Sequence, residues 1–159
     1  MYKKEILDQL SDIVPQHSAI SIQESLFTGD AAKLKDSMEK LLLESVSFYD
    51  TSDESFYHGL VLGLCAMMDN RYYVRSNREA GEGRFDIQLM PKVKTLPGIL
   101  IELKAAKKAD RSELKTLAAA ALSQIYDRKY DAEMISLGIN DIIKYGVAFC
   151  GKEVEILAV

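Results

Sequence analysis

Near Asn70 the spacing of apolar residues changes from the repeat of a helix to the two-residue repeat of a strand, so neither an all-helical nor an all-strand fold suits this chain. Ahead of the change, residues 2–14 carry Ile6, Leu10, Ile13 and Val14 at helical spacing, and Pro15 stops the run. A second helix is predicted after Gly29-Asp30, with Asp30 as its N-cap and Leu34, Met38, Leu41, Leu42 and Val46 as its stripe. Thr51-Ser52-Asp53-Glu54 reads as a capping box before Phe56, Leu60, Leu64 and Met67 or Met68, which gives a third helix ending near Asp69-Asn70.

Beyond that point Tyr72-Tyr73-Val74-Arg75 reads as a strand, followed by the turn-forming Gly81-Glu82-Gly83. Residues 84–90 alternate, with Phe85, Ile87 and Leu89 on one face and Asp86, Gln88 and Met90 on the other. Residues 99–104 alternate as well: Ile99, Ile101 and Leu103 oppose Leu100, Glu102 and Lys104. Asp110-Arg111-Ser112-Glu113 is another capping box, opening a helix whose stripe is Leu114, Leu117, Ala118, Ala121, Leu122 and Ile125. Two strands, 142–150 and 154–159, close the chain around a tight turn at Gly151-Lys152. Helices followed by β-β-β-α-β-β make an α/β protein with a mixed central sheet. The helix between the third strand and the next implies at least one parallel pair.

The length of 159 residues and an apolar fraction of 48% suit one domain with a real core. Residues 1–50 are expected to be an N-terminal helical extension packed on a core of residues 51–159. No apolar run approaches the roughly 20 residues that span a bilayer, and the Met-Tyr-Lys-Lys-Glu start lacks a signal peptide's apolar stretch. No membrane partner is expected, and the cytoplasm is the expected compartment. Cys65 and Cys150 sit far apart in apolar segments, which suits buried thiols in a reducing environment better than a metal knuckle or a disulfide framework. A net charge of −4 and a pI near 5.3 provide no global attraction for nucleic acid. Any polyanion contact must be local, and the one basic stretch runs through Lys92, Lys94, Lys104, Lys107, Lys108, Arg111 and Lys115. Lys107, Lys108 and Arg111 are its candidate nucleic-acid contacts, with a solvated face as the plain alternative.

Glu102 and Lys104 break an otherwise apolar strand at its end and project from one face. Charges there are costly unless each has a partner. A divalent cation held by Glu102 and by Asp86 of the preceding strand would supply one. Mg²⁺ prefers hard oxygen donors and keeps several waters, so two carboxylates and a carbonyl, that of Leu103, form a sufficient protein share, with Mn²⁺ as a substitute ion. Lys104 would then stand beside the attacking water, where it could orient or deprotonate that nucleophile and offset charge on a phosphate. An ordinary cross-strand Glu-Lys pair is the alternative for these letters taken alone.

Five segments in order widen the pattern: Glu54-Ser55-Phe56-Tyr57-His58-Gly59, Ser76-Asn77-Arg78-Glu79, Gly83-Arg84-Phe85-Asp86-Ile87, Ile101-Glu102-Leu103-Lys104 and Gln124-Ile125-Tyr126-Asp127. Together they resemble a bacterial branch of the PD-(D/E)XK nuclease superfamily, over roughly residues 25–159. The resemblance implies a restriction-endonuclease-like α-β-β-β-α-β core, Mg²⁺-dependent phosphodiester hydrolysis, and Asp86, Glu102 and Lys104 as catalytic residues. In that branch the domain typically follows an AAA-ATPase-like domain. No Gly-x-x-x-x-Gly-Lys phosphate loop occurs here, so either a stand-alone protein or one separated from such a partner is expected.

The resemblance also makes Glu54 the first-helix acid near the metal, with His58 beside it one turn on. Capping is the alternative for Glu54, and an ordinary core or surface histidine for His58. Glu79 would complete the acidic cluster or orient Arg84, and Arg84 would touch phosphate; a surface carboxylate and an exposed turn arginine are their alternatives. Gln124 falls on the apolar stripe of the helix after the motif, where an amide needs partners, and related nucleases reach the site with a glutamine there. Tyr126 and Tyr130 read as packing residues, although Tyr130 could approach the site. The leading expectation is a metal-dependent deoxyribonuclease. Its rivals are a catalytically silent nucleic-acid-binding or assembly module on the same fold and an RNA or small-molecule phosphodiesterase. Relatives of this fold often pair to cut two strands, so a homodimer through the helical first third is a further expectation.

Overall fold

The computed structural model describes residues 16–44, 54–68, 70–76 and 87–159. Among the described residues three helices come first, α1 (Gln16–Thr28), α2 (Ala31–Glu44) and α3 (Glu54–Ala66). Strands β1 (Tyr72–Ser76), β2 (Ile87–Pro91) and β3 (Gly98–Ala105) follow, then α4 (Arg111–Asp127), the short α5 (Ala132–Ser136), β4 (Ile142–Cys150) and β5 (Glu153–Ala158). This is the expected order with α1 and α5 added. The helix expected over 2–14 and the capping residues Thr51 to Asp53 lie outside the described residues.

Local chemistry explains most boundaries. Asp30 caps α2, its Oδ1 accepting from the Lys33 amide at 3.0 Å. Gly29, at φ 76°, takes the left-handed conformation that turns α1 into α2. At the start of α4 the capping box is reciprocal: Asp110 Oδ1 accepts from the Glu113 amide at 2.8 Å, and the Asp110 amide donates to Glu113 Oε1 at 3.4 Å. Helix α1 escaped the periodicity argument because its buried stripe alternates Ala19, Ile22 and Leu26 with Ser18 and Ser25. The Ser25 hydroxyl is satisfied locally by the Ser21 carbonyl at 2.7 Å. Gly151, at φ 58°, makes the hairpin turn between β4 and β5.

The five strands lie in the order β1-β2-β3-β4-β5, antiparallel except for the parallel β3/β4 pair, which α4 and α5 connect. One face carries Ile87, Leu89, Ile99, Ile101, Leu103, Tyr145, Val147 and Phe149 against α1, α2 and α3 in the main core. The other face meets α4 and α5, with Leu100 among Ile125, Tyr130 and Met134, and Ala148 among Leu114 and Ala118. The result is three layers, helices on both sides of a mixed sheet. Gly146 sets how closely α4 approaches: a Cβ there would run into the Ala118 carbonyl oxygen and stand 2.6 Å from the Leu122 amide nitrogen. Among the described residues no helix is long and apolar enough to cross a membrane.

Candidate active site at the end of β3

Strand β3 is buried for its first six residues, and the fifth is Glu102, only 4% exposed. Two residues on, half-buried Lys104 returns to the same face, the one covered by α4. In the parallel register their neighbours on β4 are Gly146 and Ala148. These small residues let α4 close over the strand end and bring Gln124 to the lysine. Lys104 Nζ donates to Gln124 Oε1 at 3.1 Å, and Gln124 Nε2 donates to the Tyr130 hydroxyl at 3.2 Å. Tyr130 is buried in the Leu100, Ile125 and Met134 cluster, so its ring is fixed and the glutamine is held from behind. The ammonium can only donate, so it selects the oxygen end of the amide and leaves the NH₂ for tyrosine.

Beside this group stands a residue that the sequence argument placed on the right face without giving it a role. Gln88 of β2 is 1% exposed, and among the described residues neither its Nε2 nor its Oε1 has a hydrogen-bond partner. Burying an amide in that state costs on the order of 1–3 kcal/mol. Its cross-strand partner is Leu100, two residues before Glu102. The signal that could have found it is the same alternation that marks Glu102, a polar side chain where a core strand needs an apolar one.

The other candidates divide. Asp86, Glu79 and Arg84 lie outside the described residues. Leu103 sits between Glu102 and Lys104 with its side chain in the main core. Glu54 opens α3 and is exposed. His58 is buried and its Nε2 shares a hydrogen bond with Ser76 Oγ at 2.9 Å, at the end of β1. Lys107 and Lys108 are exposed directly after β3.

Arg111 pairs with acids of two other elements. Its Nη2 meets Glu39 Oε2 at 2.7 Å, its Nη1 reaches Glu155 Oε1 at 3.4 Å and the Val154 carbonyl at 3.2 Å, and Nε lies 3.7 Å from Glu153. The hydrogen bond with Glu39, and then the charges of the three acids, hold its pKa above the usual guanidinium value. It joins α4 to α2 and β5. The basic run of the sequence is also divided in space. Lys92 and Lys94 precede β3, and a strand rise of ~3.3 Å per residue puts about 20 Å between Gly98 and Lys104. Lys92 rests over the Tyr73 ring at 4.9 Å.

A family model of the PD-(D/E)XK nuclease superfamily matches residues 52–158, from α3 to the end of β5. The chain belongs to this superfamily. Its mixed sheet with helices on both faces is the restriction-endonuclease-like fold of this superfamily, and its third strand ends in the triplet Glu102-Leu103-Lys104 followed by Ala105. Members of the superfamily are in general hydrolases that use divalent metal ions. No curated protein matches the chain.

Proposed function

We propose that this PD-(D/E)XK protein is a metal-dependent nuclease that hydrolyses phosphodiester bonds of DNA by attack of water. The observation that carries the reading is the end of β3, where buried Glu102 shares a face with a lysine whose ammonium is held by the neutral amide oxygen of Gln124 at 3.1 Å. A neutral partner fixes the direction of the amine without cancelling its charge. One of its three N–H groups is used by Gln124, which leaves two for a water and a phosphate oxygen.

The donors suit a hard cation. The Glu102 carboxylate and the Leu103 carbonyl are adjacent oxygen donors, and Asp86 is the further carboxylate we assign to the ion, Mg²⁺ with Mn²⁺ as substitute. Asp86 lies two residues before Gln88 in sequence, on the same side of the alternation as Gln88 and Met90. Among the described residues no three His, Cys, Asp or Glu side chains form a metal cluster. The cation, when bound, polarises the phosphate and lowers the pKa of a water. Lys104 orients that water and offsets the negative charge that grows on the phosphate oxygens. Exposed Lys107 and Lys108 contact flanking phosphates. Glu79 and Glu54 are assigned as further acids, and Arg84 as a phosphate contact. The free thiols Cys65 and Cys150 accord with a reducing compartment, the cytoplasm.

The test is cleavage of supercoiled and linear DNA in Mg²⁺, in Mn²⁺ and in chelator, with Asp86→Ala alongside. Metal-dependent cleavage lost in Asp86→Ala is the expected result. DNA retention without cleavage by the parent protein would replace this reading with a silent binding module.

A further inference from the structure

We infer that Gln88 is a positioning residue for Glu102, its Nε2–H donating to the carboxylate when a divalent cation is bound. The inference rests on the nuclease reading above. Ile87 and Leu89 point into the main core, while Gln88 turns to the α4 face shared with Glu102 and Lys104. Around it on that face are apolar groups, Leu100 opposite on β3 and, packed with Leu100, Ile125 and Met134. A leucine or methionine would fill this place with no polar atom to satisfy. Instead an amide is buried with neither donor nor acceptor used among the described residues.

Register gives the amide its object. Because Gln88 pairs with Leu100, Glu102 is its diagonal neighbour on β3, and diagonal positions ~7–8 Å apart are within reach of long side chains. A carboxylate offers about four lone-pair sites, so an oxygen can face a cation while another lone pair accepts an N–H. A neutral donor is the right kind for that place, since lysine or arginine would repel the cation. Donors that steer ligating side chains in this way are typically worth 10–100-fold in metal affinity.

The experiment uses the full chain and needs no nucleic acid. Mn²⁺ binding is titrated calorimetrically for the parent and for Gln88→Met, which keeps length and volume but removes both polar atoms, and thermal unfolding is recorded without metal. We expect Gln88→Met to unfold at the parent temperature or above it, while its Mn²⁺ affinity falls roughly 10–100-fold. A folded variant with Mn²⁺ affinity within about threefold of the parent would overturn the inference and leave the nuclease reading in place. Failure of Gln88→Met to fold would also overturn it, because the amide would then be structural. A parent protein that binds no Mn²⁺ would remove the metal-site reading itself, and this inference with it.

Discussion

Replacing Gly146 by alanine tests the link between packing and site. The added methyl would meet α4 backbone, the Ala118 carbonyl oxygen and the Leu122 amide nitrogen at 2.6 Å, with the Leu122 Cβ at 2.9 Å. No rotamer change relieves a clash with backbone, so the helix must withdraw by about 1 Å to restore ordinary contact. Overpacking of this kind costs about 1–3 kcal/mol. At 159 residues each kcal/mol lowers the melting temperature by about 2–4 °C, so a fall of roughly 2–12 °C is expected in a thermal melt. The same withdrawal carries Gln124 away from Lys104, whose 3.1 Å bond cannot stretch far without being lost. Turnover on DNA should therefore drop even at temperatures where the variant is fully folded. An alanine variant with the parent melting temperature and turnover would refute the claim that Gly146 sets the seat of α4, and with it the route from β4 to Lys104.

Three further outcomes are expected. Lys104→Ala should keep Mn²⁺ binding while turnover falls by roughly 10² to 10⁴, and Asp86→Ala should abolish Mn²⁺ binding; full turnover in Lys104→Ala would make the lysine only a strand-end cation. Tyr130→Phe preserves the ring in its cluster but deprives Gln124 Nε2 of its acceptor, so a loss of about 1 kcal/mol in denaturant unfolding and a smaller drop in turnover than for Lys104→Ala should follow. Cys65 is wholly buried and desolvation pushes its thiol pKa up to about 12, so thiol reagents should reach it only on unfolding. The folded state then holds a proton that the unfolded chain releases above the ordinary thiol value, so this group lowers stability as pH rises through that range; a Cys65→Ala variant losing no less stability than the parent between neutral and alkaline pH would contradict it.

The alternation of residues 99–104 was enough to put Glu102 and Lys104 on one face, because side-chain direction in a strand repeats every two residues whatever the partner strand. The caps at Asp30 and Asp110 were likewise legible, since their bonds close within three residues of sequence. Helix α1 was not legible, because serines interrupt its stripe and its burial is decided by what it meets, including a Tyr145 hydroxyl that donates to the Ser25 carbonyl at 3.0 Å.

What the sequence by itself determined, then, was the kind of each described long element other than α1, its buried face and the acid-x-lysine at the strand end, all governed by neighbours a few residues apart. Strand order and helix placement decided the rest. They made Arg111 a tie between α2, α4 and β5, because Glu39, Glu153 and Glu155 converge on it from distant parts of the chain. They separated Lys92 and Lys94 from Lys104 by the length of β3. They also joined Lys104 to Gln124 and Tyr130 and left Gln88 buried beside Glu102, contacts made across the sheet and between layers, where spacing along the chain carries no information about distance.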